Sequence, residues 1–120
     1  MSEQNKATLN RANAAILNKD HEGFLSHCTD DTEWHFLGDK TLRGKGAVRA
    51  WLAETYLQPP KFDVHNMISE GDHLAVYGEI AVKDKSGKET RSYYCDVWRF
   101  RDGKLAELRA YVVPVCATEN

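Results

Sequence analysis

Three turn signals divide the second half of the chain into runs of alternating apolar and polar residues: Glu70-Gly71-Asp72, Lys85-Ser86-Gly87 and Asp102-Gly103. Gly and Asp tolerate the backbone of tight hairpins, and period-two alternation marks a strand with one buried face. The spacing predicts four strands over 62–69, 73–83, 90–101 and 104–115, each antiparallel to the next. The first half has a helical period instead. Between Glu3 and Lys19, Leu9, Ala12, Ala15, Ile16 and Leu17 recur at spacings of three and four. Asp20 is placed to cap a second, short helix that turns Phe24, Leu25 and Cys28 inward and ends at the polar Thr29-Asp30-Asp31 run. A third helix, from Gly46 to Leu57, carries Val48, Trp51, Leu52 and Tyr56 on one stripe, and Pro59-Pro60 stops it. Helices first and strands last is the order of an α+β domain, with helices packed across one face of a bent sheet. Such a sheet leaves a pocket beneath the helices.

At 120 residues the chain has the size of one domain, spanning 1–120, and can bury a real core. Its formal net charge of -2 gives no electrostatic reason to expect a nucleic acid or an anionic membrane as partner. Three cysteines, Cys28, Cys95 and Cys116, cannot all pair within the chain and lack the C-x-x-C spacing of zinc and redox motifs. Reduced thiols, a polar N-terminus and the lack of any long apolar run lead to the expectation of a soluble cytoplasmic protein.

Strand periodicity decides which side chains share the pocket. In the third meander strand, Tyr94, Asp96, Trp98 and Phe100 share one face and Tyr93, Cys95, Val97 and Arg99 the other. In the fourth, Leu108, Ala110 and Val112 form the row expected to point inward. An Asp96 carboxyl among aromatic rings loses hydration, which raises its pKa toward that of a working acid or base. Alternatively, it meets an arginine or a backbone donor and is structural, or its strand is turned the other way.

His35, in the stretch Thr32-Glu-Trp-His-Phe-Leu-Gly38, raises the same question. Trp34 and Phe36 share one face, and His35 shares the other with Glu33 and Leu37, so only one set lines the cavity. The imidazole is either a proton carrier in the pocket or an outward residue beside an aromatic wall, with the pocket favoured. Trp51 and Tyr56 either close the mouth or pack in the core.

Several motifs fail. Gly38 to Gly46, GDKTLRGKG, has the wrong glycine spacing for a phosphate loop and lacks its Ser or Thr. The five histidines form no H-E-x-x-H, so no metal is expected, and no serine sits in a nucleophile elbow.

The order of these elements resembles a known family. So do the segments Asp30-Asp-Thr-Glu-Trp-His-Phe-Leu-Gly38, Gly44-Lys-Gly-Ala-Val48, Ser69-Glu-Gly-Asp-His-Leu-Ala-Val76 and Tyr94-Cys-Asp-Val-Trp-Arg-Phe-Arg-Asp-Gly103. Together they are similar to the SnoaL-like branch of the nuclear transport factor 2-like superfamily. The resemblance implies a cone-shaped barrel of curved antiparallel sheet, with three N-terminal helices enclosing a deep pocket. It implies a small apolar ligand and cofactor-independent chemistry of a cyclase, isomerase or hydratase, or else a binding or association module. Homodimers through the outer sheet face are implied too, here over Arg99, Glu107, Arg109 and Tyr111. Against the ketosteroid isomerases of this superfamily, Asp96 matches the protonated oxyanion-hole aspartate. The general-base aspartate falls on His35 or Phe36, and the oxyanion-hole tyrosine falls close to Ala12. His35 and Asp96 are therefore the candidate acid–base pair, with Trp34, Tyr56, Tyr94, Trp98 and Leu108 as the ligand pocket.

Overall fold

A computed structural model describes residues 2–115; Cys116 lies outside them. The elements are α1 (Ser2–Leu17), α2 (His21–Leu25), β1 (Cys28–Phe36), β2 (Thr41–Arg43), α3 (Lys45–Thr55), β3 (Lys61–Glu70), β4 (His73–Lys83), β5 (Glu89–Arg101) and β6 (Lys104–Pro114). The six strands make one sheet in the order β2-β1-β6-β5-β4-β3. All neighbours are antiparallel except β1 and β6, which run parallel.

The α+β fold expected from the sequence is present, with one correction to its shape. The sheet is curved but not closed, because β2 and β3 are both edges. Each edge is blunted. β2 has only three residues, while β3 carries Lys61, Asp63, His65 and Glu70 and a bulge between Val64 and Asn66. The local assignments also shift. Thr29-Asp30-Asp31 does not end a helix but lies within β1, and Cys28 opens that strand, buried at 1% exposure. The Gly38 to Gly46 segment, which fails as a phosphate loop, contains β2, which pairs Trp34 with Leu42 and His35 with Thr41.

Each helix packs one stripe. Leu9, Ala12 and Ile16 of α1 are buried, as are Phe24 and Leu25 of α2 and Val48 and Leu52 of α3. The Asp20 carboxylate accepts a hydrogen bond from the Gly23 amide at 2.9 Å, satisfying one free donor of α2. Gly44 precedes α3 at φ 90°, a conformation that opposes any side chain with a Cβ. Helices cover one sheet face only: α1 lies against β3 and β4, and α3 against β1 and β2. Under them runs the apolar core, joined by Leu74, Trp98, Phe100, Leu105 and Leu108 from the strands.

Candidate functional site

Beneath the helices the sheet curves around a cavity of about 200 Å³. Its walls follow from register. Trp34 of β1 lies opposite Leu108 of β6, which lies opposite Trp98 of β5. One step along, Phe36, Ala110, Asp96 and Val76 form the next row across β1, β6, β5 and β4. All seven of these residues come from the inward face of the sheet and line the cavity. Tyr94, Ser92 and Thr90 continue β5 toward the far end, and Phe62 enters from β3. The helices close the other side with Leu9, Asn13, Ile16, Phe24 and Trp51, joined by Tyr56 at the C-cap of α3.

Asp96 is the one charged side chain of this lining, which contains no Lys, Arg or His. Its cross-strand neighbours are Val76 and Ala110, neither of which can hydrogen-bond through its side chain. Burial alone pushes its pKa up to about 7, with no cation or donor pulling it back. Asp96 and Tyr56 both keep intermediate accessibility, although burial dominates their ionisation. The two observations agree if their remaining surface is cavity wall, which is where both residues stand.

Two phenols share this environment. Burial, then the nearby Asp96 charge, raises the Tyr94 pKa to about 12. Burial, then Asp96 and Tyr94, raises that of Tyr56 further. Both therefore remain O–H donors at any physiological pH. The wall around them is aromatic: Trp51 meets Tyr56 at 5.2 Å and Phe36 at 5.0 Å between ring centroids, and Trp34 meets Trp98 edge-on at 5.6 Å. The indole N–H groups of Trp34 and Trp98 are buried without a hydrogen-bond partner among the described residues, sealed from the cavity space.

His35 lies on the opposite face of β1 from Trp34 and Phe36. Its Nδ1 is 3.2 Å from the Thr41 hydroxyl, and its Nε2 is 3.1 Å from Glu33 and 3.5 Å from Glu107. It does not line the cavity. The structure thus does not bring His35 and Asp96 into one site, because period-two alternation sends the aromatic pair inward and the imidazole outward. The other sequence-derived pocket residues, Trp34, Tyr56, Tyr94, Trp98 and Leu108, are brought together around Asp96. Sequence reasoning missed Phe62 and Ile80; the alternation of Val76, Gly78, Ile80 and Val82 in β4 was the available signal.

Two histidine–carboxylate groups have metal-ligand spacing, Glu33-His35-Glu107 and Asp63-His65-Glu79. In each, an arginine already serves a carboxylate: Arg99 reaches Glu107 at 3.4 Å and Arg91 reaches Glu79 at 3.0 Å. Both groups read as charge networks on the uncovered sheet face.

A family model for the SnoaL-like domain matches residues 9–108, every element from mid-α1 to β6. The chain belongs to the SnoaL-like domain family. Solved structures of similar shape include an NTF2-like protein from Burkholderia xenovorans LB400, 21% identical over 93% of this chain and 91% of that one, with a TM-score of 0.76. An LEH-like epoxide hydrolase from M. tuberculosis is 17% identical over 92% and 84%, with a TM-score of 0.81. TerC co-crystallised with polyporic acid is 22% identical over 90% of both chains, with a TM-score of 0.76. At these identities the likeness establishes the SnoaL-like fold. No curated protein matches the chain.

Proposed function

We propose that this SnoaL-like protein is a cofactor-independent acid–base enzyme, an isomerase or cyclase, acting on a small apolar carbonyl compound held in the cavity. The observation that carries this reading is the lone Asp96 carboxyl, raised to about 7 and flanked by two protonated tyrosines. A base is most effective when its pKa lies near the working pH. Asp96 removes the proton alpha to the carbonyl, while Tyr56 or Tyr94 donates a hydrogen bond to the enolate oxygen as its charge grows. The resulting Asp96 acid returns that proton to another carbon in an isomerisation. In a cyclisation, the enolate carbon attacks a second carbonyl carbon of the same molecule and the proton goes to the new alkoxide. Trp34, Trp98 and Leu108 exclude water and orient the apolar body.

The test is uptake of deuterium from D₂O at the alpha carbon of phenylacetone, followed by NMR. The wild type accelerates exchange, with a rate that climbs as pH rises through about 7. Asp96→Asn loses on the order of a hundredfold or more, and Tyr56→Phe loses about tenfold to a hundredfold. Parental exchange in Asp96→Asn sinks the reading.

A second reading concerns assembly and is compatible with the first. Across β4, β5 and β6 the uncovered face carries the rows Tyr77-Cys95-Tyr111 and Glu79-Tyr93-Val113. Tyr77, Tyr93, Tyr111 and Val113 are all exposed. Arg99, Glu107 and Arg109 border them. This amphipathic face is suited to a second copy of the chain in an isologous homodimer. The two cysteines among the described residues, Cys28 and Cys95, are free, which fits a reducing compartment such as the cytoplasm. No helix of the described residues is long and apolar enough to cross a membrane.

A further inference from the structure

The Asp96 carboxyl has no ion pair and no hydrogen bond among the described residues, and burial is the sole influence on its ionisation. A carboxylate in that position is costly unless something supplies a positive charge. The protein supplies none, since no Lys, Arg or His lines the cavity. What it does supply is a wall of aromatic rings: Trp34, Phe36, Trp51, Tyr56, Tyr94 and Trp98 all border the same space. Aromatic faces attract cations, and the attraction is strongest where water is excluded. The two buried indole N–H groups do not oppose this, because neither is open to the cavity.

We propose that the cavity is also a receptor for small hydrophobic ammonium ions, the cation resting against the Asp96 carboxylate within the aromatic wall. This ligand class is distinct from the carbonyl compounds above. It needs the same cavity but not the proton-transfer chemistry, and it uses Asp96 in its ionised form. The titratable groups coupled to Asp96 are Tyr56 at the C-cap of α3 and Tyr94 and Cys95 from its own strand, all held neutral through the working range. Its neighbours on β4 and β6, Val76 and Ala110, carry no charge. Binding of an amine that stays protonated up to about pH 8.5 therefore follows the ionisation of Asp96 and strengthens as pH rises through about 7.

All three tryptophans of the chain border the cavity, so intrinsic fluorescence reports occupancy directly. The probes are phenethylammonium and its uncharged counterpart 2-phenylethanol, titrated at about pH 5.5 and about pH 8.5 against wild type and Asp96→Asn. At the higher pH the wild type is expected to bind the amine on the order of tenfold tighter than the alcohol, and on the order of tenfold tighter than it binds the amine at the lower pH. Asp96→Asn is expected to bind the amine no better than the alcohol at either pH. An amine bound no better than the alcohol at either pH overturns the proposal, as does a preference that survives in Asp96→Asn, or a failure of both probes to perturb the tryptophans at millimolar concentration. Should the variant fail to fold, the pH comparison in the wild type decides by itself. Deuterium exchange into phenylacetone without amine binding would reject this inference and leave the catalytic reading standing.

Discussion

Asp96 is held in a place that opposes its charge, and this has a consequence for folding as well as for chemistry. In the unfolded chain its carboxyl ionises near the ordinary 3.8, whereas in the folded protein it holds its proton up to about 7. Between those values the folded state binds the extra proton, so this residue's contribution to stability falls as pH rises, then stays flat above about 7. Asp96→Asn removes the penalty. Its stability advantage over the wild type should be smallest near pH 4 and grow to at most on the order of 4 kcal/mol by about pH 8. Urea unfolding of the two proteins at several pH values measures it; an advantage that does not change with pH would mean that the carboxyl is solvated. Periodicity identified Asp96 as one of a set with Tyr94 and Trp98, and the structure puts that set in the cavity. For His35, the local alternation offered two faces, and the pocket face favoured from the sequence is not the one the structure gives it. The choice was made by the parallel neighbour β6, whose Leu108 and Ala110 stand opposite Trp34 and Phe36.

Hairpins and caps set the elements, and two of them make local predictions. Gly78 in β4 lies beside the β3 bulge, where a Cβ would fall 2.0 Å from the Asp63 carbonyl oxygen. Backbone cannot yield as a flexible side chain can. Gly78→Ala is therefore expected to cost about 2 kcal/mol or more, read as a lowered midpoint in thermal or urea unfolding. It should do so by forcing β3 away from β4 at Val64–Asn66, seen as faster amide exchange in that segment. Asp20→Ala, which removes the cap of α2, should cost only about 1 kcal/mol. The four-strand meander was legible from Gly71, Gly87 and Gly103 because hairpin turns are local chemistry. β2 was not, since three residues carry too little pattern to separate a strand from a loop. Nor was the start of β1, where Cys28 obeys both a helical period and a strand period.

On the scale of the molecule, one sheet face is covered by helices and the other is open. If the open face pairs two copies, Tyr93→Glu with Tyr111→Glu should shift the sedimentation coefficient from dimer to monomer at micromolar concentration while leaving the cavity fluorescence unchanged. A wild type that sediments as a monomer would remove the dimer. The sequence by itself determined the α+β order, the turns, the helical stripes and the chemical character of each strand face, because all of these are written in spacings of two, three and four residues. Only the tertiary structure decided which face of β1 looks inward, that the sheet stays open at β2 and β3, and that Asp96 stands among rings without a partner. Those outcomes depend on pairing across long stretches of chain, where β6 lies between β1 and β5, and no short window of residues contains both partners.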